Sequence, residues 1–253
     1  MMNEKAKAAC NIHAVLRNME NLCELDVTSK ELIAASNVAI QFSVPEIDKL
    51  VLAFRQGACK AMRGDGLSYD MNLRFSSHEH LNLMIEGKKN PIPTKGLRHI
   101  PFLKKTFTAL ADRLSYYLQP DPERLKNDKS YRDASTKMLA YTAFYAIPEI
   151  ARYDEVGIHI ARQIDDGIIN IVVGDEFAIQ LHSKQGVLET SKGRNPNARA
   201  LMLFDSMETA SGILNGTLDS FGCIGTGALA FRGRITMIDN LNKLLGLVPN
   251  YLG

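Results

Sequence analysis

The sequence predicts an α+β protein built from two tandem copies of one domain, each a roughly five-stranded sheet covered by helices. Three observations predict this architecture. A skeleton in FSSHEHLNLMIEGKKNP, residues 75–91, returns as FDSMETASGILNGTLDS, residues 204–220, at a constant spacing of 129 positions. The order helix, strand, strand, strand, helix occurs twice with similar lengths, and a proline-containing, highly charged stretch separates the two occurrences.

The repeated skeleton predicts a short helix that ends at a glycine in each half. The matching positions are Phe75, Ser77, Glu79 and Gly87 in the first half and Phe204, Ser206, Glu208 and Gly216 in the second. Serine is a preferred N-cap, an acidic residue suits the first turn, and glycine suits the C-terminal cap. Each half also closes with a helix that carries a Tyr-Leu pair, Tyr117-Leu118 and Tyr251-Leu252.

The first half contains a complete set of elements except for its last strand. Apolar residues at helical spacing predict a helix over 4–25, and a second apolar stripe predicts a helix over 101–118. Residues that favour strands occupy the stretches 37–44, 49–64 and 67–75. The stretch PTKGLRHIP, residues 93–101, is not expected to form a strand, so this copy is predicted to be degenerate.

The division between the halves is predicted at QPDPERLKNDKSYRD, residues 119–133, because prolines and charges mark linkers. The predicted organisation is a degenerate domain over 1–120, a linker over 121–134 and a second domain over 135–253. In the second domain a helix starts near Ser135 and is expected to bend or end at Pro148. The remaining predicted elements are a helix over 149–163, strands over 167–174, 176–193 and 198–204, a helix over 207–215, and a strand in CIGTGALAFRG, residues 223–233.

Composition favours an ordinary globular protein with no nucleic-acid partner and no transmembrane segment. The 30 basic and 28 acidic residues nearly cancel, which gives no electrostatic case for nucleic acid or an anionic membrane. The basic run FLKKTF, residues 102–107, is interpreted as a solvated helix face. No apolar stretch is long enough for a transmembrane segment, and MMNEKAKAAC lacks the apolar core of a signal peptide. Four scattered cysteines without metal-ligand spacing are expected to be free, mostly buried thiols, so a cytoplasmic location is predicted.

No pattern of residues predicts catalysis, a metal site or a cofactor. The stretch GTGALA, residues 225–230, lacks the third glycine and the following βαβ unit of a dinucleotide-binding turn. His78 and His80 point about 200° apart on a helix and do not readily share one metal ion. Asp165 and Asp166 precede Gly167 and are interpreted as a turn. The prediction is therefore a protein that is not an enzyme.

The second half resembles the sterol-transfer domain of the sterol carrier protein type-2 family. The resemblance lies in ARALMLFDSMETASGILNGTLDS, then GTGALAFRG, then the closing helix ITMIDNLNKLLGLVPNYL, and covers about residues 165–252. LMIEGKKNP, residues 83–91, is similar to the family's glycine-lysine-Asn-Pro turn, and residues 30–118 resemble the family weakly. The resemblance implies a helix-covered sheet around an apolar cavity or tunnel. It also implies binding of fatty acids, acyl-CoA, sterol-like or other hydrophobic ligands without chemistry.

The expected function is therefore binding or transfer of a lipid in the second domain. Met and unbranched side chains adapt to ligands of varied shape. The predicted ligand-binding residues are Leu203, Ile213, Leu214, Phe221, Ile224, Met237, Leu241, Leu244, Leu245 and Val248. For a ligand with a carboxylate, Arg232, Arg234 and Lys243 are surface candidates. The same apolar stripe on the closing helix also suits ordinary core packing.

A second hypothesis remains open at this point. Two domains with filled cores suit a protein–protein interaction or dimerisation module, which forms a homodimer or serves an enzyme partner. The volume of the interior beneath the last helix separates the two hypotheses.

Overall fold

The computed structural model describes residues 3–252, which form two compact units, unit 1 ending at Gln119 and unit 2 beginning at Pro120. Each unit contains an open mixed sheet of five strands together with helices, so the α+β class is confirmed. Within this range no helix combines the length and apolar character needed to cross a membrane.

Unit 1 begins and ends with helical stretches around its sheet. Its helices are α1 (Glu4–Cys10), α2 (Met19–Leu25), α3 (Val27–Leu32), α4 (His78–Ile85), α5 (Ile100–Phe102) and α6 (Thr108–Leu118). π-helical turns at Asn11–Val15 and Leu103–Phe107 and 3₁₀ turns at Leu16–Asn18 and Leu97–His99 join these helices. Its strands are β1 (Asn37–Ser43), β2 (Leu50–Arg55), β3 (Ala58–Arg63), β4 (Met71–Arg74) and β5 (Ile92–Lys95).

The unit 1 sheet has the strand order β3-β2-β1-β4-β5, with β1 and β4 parallel and the other pairs antiparallel. Strand residues alternate between faces, so Ile40, Phe42 and Phe54 share one face. Phe107 packs on this face, with ring centroids 5.9 Å from Phe42 and 6.3 Å from Phe54. The helical stretch that follows β5 therefore covers the buried side of the sheet.

Unit 2 repeats this arrangement and includes the long helix α8, of 25 residues. Its helices are α7 (Pro122–Asn127), α8 (Lys129–Tyr153), α9 (Glu155–Ala161), α10 (Met207–Leu214), α11 (Ser220–Thr226), α12 (Ile235–Leu245) and α13 (Pro249–Leu252). Its strands are β6 (Gly167–Val173), β7 (Phe177–Lys184), β8 (Val187–Lys192), β9 (Ala200–Phe204) and β10 (Leu229–Gly233). The strand order is β8-β7-β6-β9-β10, which matches the unit 1 order, and β6 and β9 are the parallel pair.

The strand registers of the two units agree residue by residue. In unit 1, Ile40 lies opposite Leu52 on one side and Met71 on the other. Each of the unit 2 counterparts lies 129 positions later, and they are Ile169, Leu181 and Ala200. The spacing found in one pair of sequence windows thus extends over three strands of each sheet.

The predicted caps of the repeated helix are present in both units. Ser77 Oγ accepts the His80 N–H at 3.1 Å, and Ser206 Oγ accepts the Thr209 N–H at 3.2 Å. After these helices, Gly87 and Gly216 adopt φ of 72° and 69°. The stretch 176–193, predicted above as strand, forms the two strands β7 and β8, and Gln185 and Gly186 are the turn between them.

The prediction that unit 1 lacks its last strand is wrong. Strand β5 forms at Ile92–Lys95 and pairs with β4, despite Pro93 within it. Proline is tolerated at a sheet edge because no outer neighbour needs its missing N–H. β5 is the outermost strand of the sheet, so this condition is met.

The segment 121–134, interpreted above as a linker, is mostly helical. Asp121 Oδ1 accepts the Arg124 N–H at 2.8 Å, and Asp128 Oδ1 accepts the Tyr131 N–H at 2.9 Å. The aspartates and Pro122 therefore mark the starts of α7 and α8. The expected strand over 223–233 is also corrected: its first residues belong to α11, and only Leu229–Gly233 forms a strand.

A glycine at the end of the last strand is required for steric reasons. Gly233 has φ 82°, and a Cβ there would collide with the carbonyl oxygen of Arg199. We expect Gly233→Ala to lower the free energy of unfolding of unit 2 by about 2 kcal/mol, because it combines strain at positive φ with this collision. Gly193, at φ 90°, isolates the conformational cost alone, because a Cβ there would meet no atom within 4 Å.

Urea unfolding followed by hydrogen exchange of unit 2 peptides measures this difference. The matched control Gly193→Ala is expected to cost about 1 kcal/mol. Equal losses for the two variants would show that the approach of Arg199 does not constrain the backbone.

Candidate functional site

The helices of unit 2 cover one identifiable face of its sheet. Thr190 Oγ1 donates to the Phe144 carbonyl oxygen of α8 at 2.8 Å, and the Tyr141 ring of α8 lies 4.9 Å from that of Phe177. Directly paired residues point to the same face, so the covered face can be followed across the sheet. It carries Phe177, Ile179, Leu181, Thr190, Ile169, Ile171, Ala200 and Met202.

Helix α12 places the predicted ligand-binding stripe in the core of unit 2. Met237, Leu241 and Leu244 are fully buried, and the helix packs on α8, α9 and β9. Fully buried side chains face no void that is open to solvent. In this conformation the three side chains are therefore core residues. Val248 is also buried, whereas Leu245 is half-buried.

Leu203 is separated from the α12 stripe by the sheet itself. Its neighbours Met202 and Phe204 on β9 point the opposite way, and Met202 belongs to the helix-covered face. Leu203 is half-buried beside its cross-strand partners Val172 and Ala230. The structure does not bring Leu203 together with Met237 and Leu241.

The remaining predicted residues lie on an apolar surface at the end of α10 and on α11. Phe221 is 80 % exposed, and Leu214 and Ile224 are also exposed. Ile213, which directly precedes Leu214 in the sequence, is half-buried. Leu218, which was not predicted, is exposed in the turn between the two helices. We call Leu214, Leu218, Phe221 and Ile224 the α11 apolar surface.

Helix α11 is a short, glycine-rich cover on the edge of unit 2. Asp219 Oδ2 caps it by accepting the Gly222 N–H at 2.7 Å, and Gly227 ends it at φ 82°. Its one buried side chain is that of Cys223, and the helix contacts β10. Gly222 and Gly225 lower its intrinsic stability, since each glycine costs about 1 kcal/mol relative to alanine in a helix.

The turn before α11 rests on α10 at a glycine. Thr217 N–H and Leu218 N–H both donate to the Gly212 carbonyl oxygen, at 2.8 and 3.0 Å. A Cβ on Gly212 would lie 2.5 Å from the Leu218 side chain. Leu218 therefore packs directly on the α10 backbone. The only sign of this contact in the sequence is the run of small residues Ala210, Ser211 and Gly212 in α10.

A separate polar depression of about 320 Å³ lies at the start of the unit 2 sheet. It is lined by Arg162, Gln163, Ile164, Asp165, Asp166, Gln185 and Gly186. Arg234 Nε donates to Asp165 Oδ2 at 2.6 Å, and this bond lowers the pKa of Asp165. Asp166 Oδ1 accepts the Gln185 N–H at 2.6 Å. Both carboxylates therefore accept hydrogen bonds that stabilise the local structure, which agrees with their interpretation as turn residues.

The three residues that are candidates for binding a ligand carboxylate, Arg232, Arg234 and Lys243, differ in whether they already form an ion pair. Arg234 is paired with Asp165, and Lys243 with Asp239 at 2.7 Å. Arg232 is exposed and has no carboxylate partner among residues 3–252. Across the same residues, no cluster of three or more His, Cys, Asp or Glu side chains has the arrangement of a metal site. The four cysteines form no disulfide and are buried, as predicted.

Comparisons with known proteins give weak structural similarities. No family model matches the chain, and no curated protein matches it. The solution structure of sterol carrier protein domain 2 of Helicoverpa armigera is similar at a TM-score of 0.35 and 14 % identity, over 44 % of this chain and 87 % of that one. The UbiJ-SCP2 ubiquinone synthesis protein is similar at 0.30 and 17 %, over 48 % of this chain and 94 % of that one.

A third similarity is to the sec-alkylsulfatase Pisa1 from Pseudomonas sp., at a TM-score of 0.26 and 18 % identity. It spans 60 % of this chain but 29 % of the alkylsulfatase chain. Similarities at these scores and identities assign this chain neither a family nor a ligand.

Proposed function

We propose that unit 2 binds a lipid or another apolar small molecule without transforming it. The observation that carries this proposal is the α11 apolar surface. Four exposed apolar side chains fall within eleven residues, with Phe221 80 % exposed, and clustered exposed apolar residues are typical of binding sites. The sequence resemblance of residues 165–252 to lipid-binding domains points to the same class of ligand.

The ligand enters by displacing α11 in this proposal. The helix has seven residues, two internal glycines and one buried side chain, so few contacts oppose its movement. Moving it opens the core beside Cys223, toward β10 and α12. The α12 residues Met237 and Leu241, now packed, then become the wall of the occupied site.

Burial of an alkyl chain supplies the free energy of binding in this proposal. Burial of one methylene group contributes about 0.8 kcal/mol, so about sixteen carbons contribute roughly 12 kcal/mol. The loss of translational and rotational freedom costs about 4–15 kcal/mol. At the lower limit of this cost about 8 kcal/mol remains, which corresponds to micromolar affinity without a buried ion pair, in keeping with the paired state of Arg234 and Lys243.

Two measurements test the proposal directly. Organic extraction of the purified protein, followed by mass spectrometry, detects a co-purified lipid. Displacement of a fluorescent fatty acid measures binding in solution. The absence of both a co-purified lipid and displaceable binding would contradict the proposal.

Phe221→Ser is expected to weaken binding of the fluorescent fatty acid about tenfold, because it removes an apolar side chain of the cover and contact surface. The matched control is Val187→Ser on β8, which removes another apolar side chain that is 56 % exposed. The control is expected to leave the affinity within about twofold of the wild type. If both variants lose affinity equally, the binding is not located at α11.

The packed state of Met237, Leu241 and Leu244 favours a second candidate function, a protein interaction or dimerisation module. In that case the α11 apolar surface is covered by a second copy or an enzyme partner. Sedimentation velocity separates the two functions. A dimer that Phe221→Ser dissociates, in protein that binds no lipid, would support the interaction module.

A further inference from the structure

The excess positive charge of unit 1 is concentrated in one segment. The residues through Gln119 include 16 basic and 12 acidic side chains, a net charge of +4. No acidic residue occurs between Glu86 and Asp112, and six basic residues lie within 88–105. These six are Lys88, Lys89, Lys95, Arg98, Lys104 and Lys105, and we call residues 88–105 the basic segment. Outside it, unit 1 has 10 basic and 12 acidic residues, so the near-neutral total conceals an uneven distribution.

The charges of the basic segment are exposed and mostly uncompensated. All six side chains belong to exposed residues. Lys88 pairs with Glu86 at 2.8 Å, whereas the other five have no ion pair with a carboxylate of residues 3–252. Lys95 Nζ instead donates to the Tyr69 carbonyl oxygen at 3.1 Å. Just before the adjoining strand β4, Asp70 Oδ2 accepts the Ala39 N–H at 2.9 Å and forms no ion pair with the segment.

Exposed aliphatic side chains lie among these charges. Ile92 is 47 % exposed on the edge strand β5, and Leu97 is 61 % exposed in the turn after it. The segment is held in place from its inner side, because the Phe102 ring packs 5.4 Å from that of Phe54. Aliphatic residues and unpaired lysines are therefore presented outward from a fixed support.

We propose that the basic segment docks unit 1 on an anionic lipid bilayer. Lysine and arginine side chains near an anionic bilayer are attracted to its surface potential within about one Debye length, roughly 10 Å. Leu97 and Ile92 enter the headgroup region, where interfacial segments bury apolar side chains. Nucleic acid is the less suitable polyanion, since base stacking uses aromatic side chains and the strongly exposed apolar residues here are aliphatic.

Vesicle binding tests this docking. The full-length protein is sedimented with vesicles of phosphatidylcholine containing about one-third phosphatidylserine, and with vesicles of phosphatidylcholine alone. Binding is expected to the anionic vesicles only and to weaken as salt rises. Each basic residue near the surface contributes about fivefold, so Arg98→Gln, Lys104→Gln and Lys105→Gln together are expected to lower the partition coefficient about a hundredfold.

The matched control removes three exposed positive charges from unit 2, by Lys184→Gln, Arg194→Gln and Arg232→Gln. This variant has the same net charge as the first one and is expected to keep its partition coefficient within about threefold of the wild type. Leu97→Ser is expected to lower binding about fivefold, whereas Val187→Ser leaves it unchanged. Thermal unfolding checks that each variant is folded.

Three outcomes would overturn the proposal. They are equal binding to both kinds of vesicle, equal losses for the two triple variants, and binding to duplex DNA that the first triple variant abolishes while anionic vesicles remain unbound. The docking does not depend on the ligand proposed for unit 2. If the protein does not bind vesicles but the fluorescent fatty acid is displaced normally, the docking proposal fails while the ligand-binding proposal for unit 2 stands.

Discussion

Acidification from pH 7 to about pH 4 is expected to destabilise unit 1 by about 3 kcal/mol through His13 alone. His13 is buried, at 2 % exposure, in the π-helical turn after α1. Its Nε2 donates to the Asp48 carbonyl oxygen at 2.9 Å, which fixes the neutral tautomer. Burial, reinforced by the positive charges of Arg63 and Arg17, lowers the pKa of His13 from 6.5 to about 3.

The direction of the effect follows from proton binding in the two states. Unfolded His13 takes up its proton near its ordinary pKa of 6.5, whereas folded His13 does so near pH 3. The unfolded chain therefore binds more protons between these values, and stability falls as the pH falls below 6.5. The loss is about 2 kcal/mol at pH 5 and about 3 kcal/mol at pH 4, and it levels off only below pH 3.

His13→Gln isolates this contribution, because an amide can still donate to the Asp48 carbonyl oxygen but does not titrate. Hydrogen exchange of unit 1 peptides in urea, measured at pH 7 and pH 5, gives the stability of each protein. The variant is expected to lose about 2 kcal/mol less than the wild type between these values. The exposed His182→Gln is the control, and wild-type behaviour in His13→Gln would contradict the prediction.

The parts of the fold that sequence predicted correctly depend on local chemistry. The serine caps at Ser77 and Ser206 and the glycines at Gly87 and Gly216 act within one helix turn, so their residue types alone identify them. The strand predicted over 67–75 likewise rests on residue types that favour strands, and part of it forms β4. The match between the two halves, at a constant spacing of 129 positions, then showed that the same local signals occur twice.

Pro148 shows why other parts could not be predicted. A proline inside a helix removes the N–H that would bond to the carbonyl four residues earlier, here that of Phe144. In unit 2 the Phe144 carbonyl oxygen accepts a bond from Thr190 Oγ1 at 2.8 Å instead. A residue 46 positions away along the chain thus compensates the proline, and α8 continues to Tyr153. Such compensation is decided by tertiary structure.

The candidate site was predicted only in part for a similar reason. Periodicity places Met237, Leu241 and Leu244 on one apolar stripe, but it does not distinguish a cavity wall from a packed core. Leu203 was included among the ligand-binding residues because it is apolar. Successive side chains of a strand point to opposite faces of the sheet, and that of Leu203 points away from the helix-covered face. Leu218 was missed because its position depends on the close approach to Gly212.

The two units share their strand order and differ most after the repeated helix. In unit 1 the chain after Gly87 forms β5 and carries the basic segment. In unit 2 the chain after Gly216 forms α11 and carries exposed Phe221. Under the two proposals this difference is a division of roles, in which one copy supplies the contact with a charged bilayer and the other takes the apolar ligand. Losing one function without the other is the behaviour expected of independent sites.

Removal of the Asp26 carboxylate is expected to cost unit 1 about 4 kcal/mol, because it leaves the half-buried Arg113 and the buried Ser29 and Tyr117 without their acceptor. Asp26 Oδ1 accepts from Arg113 Nη2 at 2.6 Å and from the Tyr117 hydroxyl at 3.0 Å. Its Oδ2 accepts the Ser29 N–H at 2.9 Å and caps α3. Burial alone would raise the pKa of Asp26, but the bonds from Arg113, Ser29 and Tyr117 together hold it below 3.8.

Unit 2 supplies the matched comparison, since Asp154 caps α9 and accepts from the Tyr251 hydroxyl at 2.6 Å but has no arginine in that role. We expect Asp26→Ala to lower the free energy of unfolding about 2 kcal/mol more than Asp154→Ala, as measured by urea unfolding with hydrogen exchange of each unit's peptides. In Asp26→Ala combined with Arg113→Ala, the loss should be smaller than the sum of the single losses, because the cation is no longer left unpaired. Additive losses in the double variant would mean that the ion pair does not join α3 to α6.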